Sequence, residues 1–389
     1  MRKHASPVVM AVGLAVTAAL VSPAAADDAT PEPRTTAAEP IIERVDLASA
    51  GEGAHTWRIP ALEALEDGTL IAAYDRRNDN AADLPGDLDL MVRRSHDKGR
   101  TWTEPQVVVD YDDGVGAGDP SLLLDRETGR LFMFHAHGPD GVGFFNSSDG
   151  NSNDSQDILH TDYSYSDDGG RTWKTRRITE DVKDPAWFGI FASSGTGIQL
   201  SDGRLVQQYA YDSGDGIYAV SVYSDDHGET WQAGEPVGPG MDENKTVELA
   251  DGRVMLNSRT SEGPYRLIAY SEDGGETYGD PVPDHELIDP TNNAGLIRYD
   301  AGAEEGTDRA HKLLFTNTRH ESSRENLTVN MSCDDGETWP VARAIDRGAA
   351  AYSTIVPLGD DEFGVLYERG DVEHITFLRF NSAWLEEDC

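Results

Sequence analysis

The phrase Ser-x-Asp-x-Gly-x-Thr, closed by Trp or Tyr, occurs five times in this 389-residue chain, at 95–102, 166–173, 224–231, 271–278 and 332–339. Each of its elements is a common turn residue, so one copy would carry little information. Five copies, each after a strand-like stretch, require a repeated architecture. The residues before the phrase alternate in polarity, as in Leu88, Leu90 and Val92, in Tyr218, Val220 and Val222, and in Leu327, Val329 and Met331. That period of two marks a half-buried strand. Upstream of each phrase lies a tight turn followed by an apolar run: Asp67-Gly68, Thr128-Gly129, Asp202-Gly203 and Asp251-Gly252, with looser versions near Gly306 and at Gly359-Asp360. Asp-Gly between apolar runs signals a hairpin.

The unit is therefore strand, hairpin turn, strand, longer loop, strand, phrase turn and short outer strand, which is the blade of a β-propeller. Counting hairpins gives six blades, so the expected fold is all-β, a six-bladed β-propeller of four-stranded antiparallel blades. The last unit shows only three strands, 352–357, 363–368 and 374–380; the segment 41–47 is expected to supply the fourth and close the ring. A β-sandwich does not explain the fixed order of the two turn types. Asp-x-Gly also occurs in calcium loops, but the copies share no acidic residue at the twelfth position, accidental matches in so acidic a chain apart. The phrase is read as structural, with Ser and Asp bonding turn backbone and the aromatic pinning the turn onto its blade.

The first 26 residues have the form of an export signal. Arg2 and Lys3 precede an apolar run, 8–21, and Ala24-Ala25-Ala26 offers cleavage after Ala26. The run is too short for a membrane span. The polar, proline-containing stretch 27–40 reads as a flexible leader, leaving 41–389 as one domain and a secreted protein. The formal net charge of -39 excludes nucleic acid and anionic membrane as partners, because both would repel it. Only two cysteines occur, Cys333 and Cys389. Too few for a Cys-based zinc site, they suit either two free thiols or a disulfide tying the fifth repeat to the C-terminus, worth on the order of 4 kcal/mol in the chain-entropy account. No cofactor and no metal are expected, and a monomer is.

Strand direction sorts the loops onto two rims. The Asp-Gly turns and the repeated phrase share one; the starts of first strands and the loops from second to third strands share the other. On that second rim the sequence places Arg58, the stretch from Arg77 to Asp83, Asp119, Glu243, Arg259, Arg324, Tyr352 and Glu368, drawn from blades one, two, four, five and six. Three arginines converging on one mouth suit a carboxylate, which guanidinium forks bind bidentately. A sugar that carries a carboxylate on its anomeric carbon would repel an anionic nucleophile. A phenol such as Tyr352 avoids that repulsion, and with an ordinary pKa near 10 it needs a base, which Glu243 can supply.

The Arg-Ile-Pro motif at Arg58, the five phrases (Asp boxes) and the segment Met241-Asp242-Glu243-Asn244-Lys245-Thr246 together resemble secreted bacterial sialidases, also called exo-alpha-sialidases or neuraminidases, and most closely their actinobacterial members. The resemblance spans 41–389. It implies an arginine triad of Arg58, Arg259 and Arg324, with Arg319 as a competitor for the third place. It also implies Tyr352 as nucleophile, Glu243 as its activating base and Asp83 as acid/base, with Asp79 and Asp87 nearby in the same loop. Glu368 would orient the first arginine, and Arg77 and Asp119 would lie near the sugar's O4. A tyrosine nucleophile is the known sialidase exception to the carboxylate pair of most glycosidases. The expected activity is retaining hydrolysis of terminal alpha-linked sialic acids from glycoproteins, glycolipids or oligosaccharides. A non-catalytic sialoglycan-binding propeller, a trans-sialidase and a hydrolase of deaminated sialic acid are the alternatives.

Overall fold

In the computed structural model, which describes residues 7–11, 13, 39–111 and 114–385, the period-two segments form strands and the Asp-Gly turns join them. Blade one comprises Thr56–Ala64, Leu70–Arg77, Leu88–Ser95 and Gln106–Val109, and blade two Gly116–Leu124, Leu131–Gly138, His160–Ser166 and Lys174–Arg177. Blade four is Asn244–Glu248, Val254–Ser258, Tyr265–Ser271 and Val282–Ile288. Each runs antiparallel in sequence order. Blades five and six share one 19-residue strand, Val341–Gly359. Its first part is the outer strand of blade five, after Gly295–Arg298, Leu313–Thr318 and Glu325–Ser332; its second part is the inner strand of blade six, before Glu362–Arg369 and His374–Asn381.

Ile42–Ser49 pairs antiparallel with His374–Asn381 and closes the ring, as the sequence implies. That closure explains why six blades carry five phrases. The phrase joins a third strand to its own fourth, and blade six has no such connection. Blade three departs from the regular unit. Its inner strand is broken into Ile190–Ala192 and Ile198–Gln199, both paired with Leu205–Asp212, while Gly195–Thr196 between them pairs in parallel with Gly116–Leu124 of blade two. Ile217–Ser224 and Gln232–Ala233 complete it.

The phrase turns bond themselves as expected. Asp168 accepts from the N–H of Thr172 at 2.8 Å and from its hydroxyl at 2.7 Å, while Ser166 Oγ accepts from Gly170 N–H at 2.8 Å. The other four copies repeat the pattern. With its carboxylate spent on the turn, the phrase needs no ion. The expected place of the aromatic requires a correction: it pins the turn onto the preceding blade, not its own. Trp102 packs edge-on against Phe377 of blade six and Trp231 against Phe132 of blade two; Tyr278 bonds Ser221 of blade three, and Trp339 bonds Asp284 of blade four. The phrase glycines lie on the same neighbours. Gly99 and Gly228 have positive φ, and a Cβ at either would overlap the ring of Phe377 or Phe132. The repeat is thus a latch between blades.

Cys333 is disulfide-bonded; Cys389 lies outside the described residues, as does almost all of the expected export signal and leader. Among the described residues no helix is long and apolar enough to cross a membrane.

Candidate active site

Register breaks place three of the candidate residues. The first strands of blades one, two and six slip between Arg58 and Ala61, Gly118 and Ser121, and Ala350 and Ser353. In the first two, Pro60 and Pro120 have no N–H to give the ladder. The residue before each takes a left-handed backbone, φ 59° at Ile59 and 61° at Asp119. Bulges of this kind bend a strand and re-aim its side chains, and here they fall at Arg58, Asp119 and Tyr352. A β-branched residue with positive φ is strained. Ile59 is held there by its N–H, which donates to Glu368 Oε1 at 2.9 Å.

Tyr352 is the centre of the constellation. Its hydroxyl donates to Glu243 Oε2 at 2.5 Å and accepts from Arg259 Nη1 at 2.6 Å. The guanidinium carbons of Arg58, Arg259 and Arg324 stand 5.6, 5.8 and 5.3 Å from its ring centre. Burial pushes the phenol above its ordinary pKa, and the three arginines pull against that shift. Each arginine is anchored separately. Arg58 Nε bonds Glu368 at 3.0 Å, Arg259 bonds Asp242 at 2.9 Å and pairs with Glu243, and Arg324 donates to the Thr291 carbonyl at 2.9 Å. Arg319 is instead bound to Asn330 at 2.7 Å, so Arg324 is the arginine that faces the tyrosine.

Asp83 also pairs with Arg58. Its Oδ1 lies 2.8 Å from Arg77 Nη2 and 3.4 Å from Arg58 Nη1. Partial burial would raise its pKa, but the two guanidiniums outweigh it and hold the carboxyl below its ordinary range. Arg77 is fixed in turn by Asp75 at 3.0 Å and by the Ala81 carbonyl at 2.7 Å. Asp75 and Asp119 behave in the opposite sense. Burial raises Asp75 to about 7 despite Arg77, and burial together with Asp75 raises Asp119 well above the usual carboxylate range. Buried acids close together cannot all ionise, so this corner disfavours further negative charge beside Asp83. Asp79 and Asp87 of the same loop take no part in these contacts; Asp87 accepts from Asn78 at 3.0 Å.

Sequence reasoning missed a supporting set. Ser194 donates to Glu243 Oε1 at 3.0 Å, and Asn293 Nδ2 donates to the Ser194 carbonyl at 2.9 Å. Ser194 belongs to the broken inner strand of blade three, where no charged residue draws attention. Asp75 shares a strand face with Arg77, and a period-two reading from Arg77 would have found it. Lys245, fully buried beside Glu243, has its pKa lowered by burial to about 7. The mouth opens into a cavity of about 410 Å³ that Tyr352, Glu243, Arg259, Asp119 and Asp83 share with an apolar wall including Phe144, Phe191 and Leu159.

The BNR repeat-like domain matches residues 68–366. The chain is 47% identical over its whole length to the sialidase of Micromonospora viridifaciens, of which it spans 61%. It is 30% identical to the sialidase of Paraclostridium sordellii, matching 82% of this chain and 83% of the relative. Among solved structures, the Hadza microbial sialidase Hz136 superimposes with a TM-score of 0.80 at 31% identity, covering 87% of this chain and 68% of that one. A shared fold, a matched repeat domain and this level of identity lead to one conclusion: the chain belongs to the sialidase family.

Proposed function

We propose that the protein is an exported exo-alpha-sialidase, whose catalytic domain is 41–389, and that it releases terminal alpha-linked sialic acid from glycoconjugates with retained configuration. The observation that carries this reading is a buried tyrosine hydroxyl 2.5 Å from a buried glutamate, ringed by three guanidiniums at 5.3 to 5.8 Å. A carboxylate-bearing sugar explains the cations, and the neutral nucleophile explains the tyrosine. Three local cations also resolve the conflict between an anionic substrate and a chain of net charge -39.

In the mechanism, Arg58, Arg259 and Arg324 grip the substrate carboxylate. Its charge displaces Asp83 from Arg58 and disfavours ionised Asp83, which thereby gains the proton that a general acid needs. The bond from anomeric carbon to glycosidic oxygen breaks as Asp83 protonates that oxygen. Tyr352 bonds to the anomeric carbon while its phenolic proton passes to Glu243, and Arg259 stabilises the developing charge on oxygen. Water then attacks on the leaving-group side, its proton returns to Asp83, and the tyrosine recovers its proton from Glu243. Arg77 and Asp119 bind the sugar's O4 region, and no cofactor is used. Two inversions give net retention.

Hydrolysis of an alpha-sialoside, followed by NMR of the first anomer released, tests the reading. Alpha-sialic acid is expected first; a beta product, or no hydrolysis, would overturn it.

A further inference from the structure

Phe145 is the one aromatic side chain among the exposed large hydrophobics of the described residues, with 88% of its surface open to solvent. It lines the catalytic cavity alongside Asp83, Leu84 and Pro85. Its exposed ring face is thus presented to whatever enters that cavity. Its mounting is rigid. The turn Phe144–Asn146 is closed by Asn146, which accepts from Gly143 N–H at 2.7 Å and donates to the Gly141 carbonyl at 2.8 Å. Gly143 lies so close to the segment bearing the acid that a Cβ would overlap the Leu84 carbonyl and the Pro85 ring. Phe144, half-buried, meets both Phe145 and Phe191 edge-on at 5.0 Å.

We propose that Phe145 is the platform of an aglycone subsite, stacking on the C–H face of the pyranose that leaves with the protonated oxygen, a galactoside in a sialyl-galactose substrate. This rests on the sialidase reading. The cleaved sugar's carboxylate is held by the triad around Tyr352, whereas the leaving oxygen must approach Asp83. Phe145 lines the same cavity as Asp83, on a turn packed against the segment that carries the acid. Pyranoses present an axial C–H face that an aromatic ring covers without a hydrogen bond, and a pre-fixed ring loses little freedom when it does so.

The test is the ratio of kcat/KM for 3'-sialyllactose to that for methyl alpha-sialoside, whose leaving group has similar basicity and no ring. In Phe145→Ala and in Phe145→Leu, which keeps an apolar side chain but not the flat face, the ratio should fall about three- to tenfold, as expected for loss of one aromatic stacking contact. Phe145→Tyr should keep it. Thermal unfolding of each variant confirms that the fold is intact. An unchanged ratio in active variants, including an equal loss on both substrates, would overturn the subsite while leaving the sialidase reading in place. A wild-type protein that cleaves neither substrate would overturn that reading and the subsite with it.

Discussion

Glu368→Gln isolates the strongest structural demand of the proposed site. The Glu368 side chain is fully buried, and its two oxygens accept from Arg58 Nε at 3.0 Å, Arg58 Nη2 at 3.5 Å, Ile59 N–H at 2.9 Å and Tyr352 N–H at 3.2 Å. Glutamine has the same shape. Whichever way the amide is turned, its NH2 must face an N–H donor, because both oxygens now accept from nitrogen. Arg58 would be left with Asp83 at 3.4 Å as its ionic contact. Removing one partner of a buried ion pair costs about 3–5 kcal/mol, a figure that already contains the unsatisfied donor. Against a typical stability of about 5–15 kcal/mol that loss is large. Urea unfolding at pH 7, followed by tryptophan fluorescence, should show it directly. The same variant should lose roughly 10- to 100-fold in kcat/KM on a sialoside, mainly through KM, since Arg58 would grip the carboxylate without its orienting partner. A stability change below about 1 kcal/mol together with an unchanged KM would refute the reasoning.

Two further outcomes are expected. Asp168→Ala removes the acceptor that closes a phrase turn on the rim opposite the site; denaturant unfolding should show a loss of about 1 kcal/mol, as for other capping side chains, with kcat/KM unaltered. The buried histidines and the phrase aspartates should each make stability fall with acid in its own window, the histidines against the opposite contribution of Asp75 and Asp119, which take up protons in the native state. Burial lowers His137 from 6.5 to about 4 and lowers His135 and His160, so between pH 6.5 and about 4 the unfolded chain binds protons that the native state refuses. For His137 alone this amounts to on the order of 3 kcal/mol, with no penalty above pH 6.5. The phrase aspartates, held below their ordinary range, contribute stability that is present above pH 4 and lost as they protonate below it. Urea midpoints at pH 7, 5.5 and 4.5, read as the difference between the protein and His137→Gln, isolate the histidine slope. His137→Gln should flatten that slope, and an equal slope in the variant would contradict the assignment.

Much of the fold was legible because each blade writes two turn types in a fixed order and its strands keep a period of two. Ring closure was legible too, from the three-strand remainder at the end and the spare strand at 41–47. The broken inner strand of blade three was not, since Ser193-Ser194-Gly195 carries no pattern that announces a parallel excursion to blade two. The direction of the phrase aromatics was equally hidden, because a local motif does not reveal whose core its ring enters. At the site, charged residues on the common rim were visible as candidates. Their supports were not: Ser194 and Asn293 are ordinary polar residues until the fold sets them behind Glu243. Asp75 illustrates the remaining limit, because its raised pKa is set by burial between blades rather than by its neighbours in sequence.

The most direct test of the account is covalent. Incubation with a 2,3-difluorinated sialic acid, followed by proteolysis and mass spectrometry, should trap one sialosyl adduct, carried on Tyr352 and absent from Tyr352→Phe. An adduct on Glu243 or Asp83, or full turnover of a sialoside by Tyr352→Phe, would contradict the tyrosine nucleophile on which the mechanism depends.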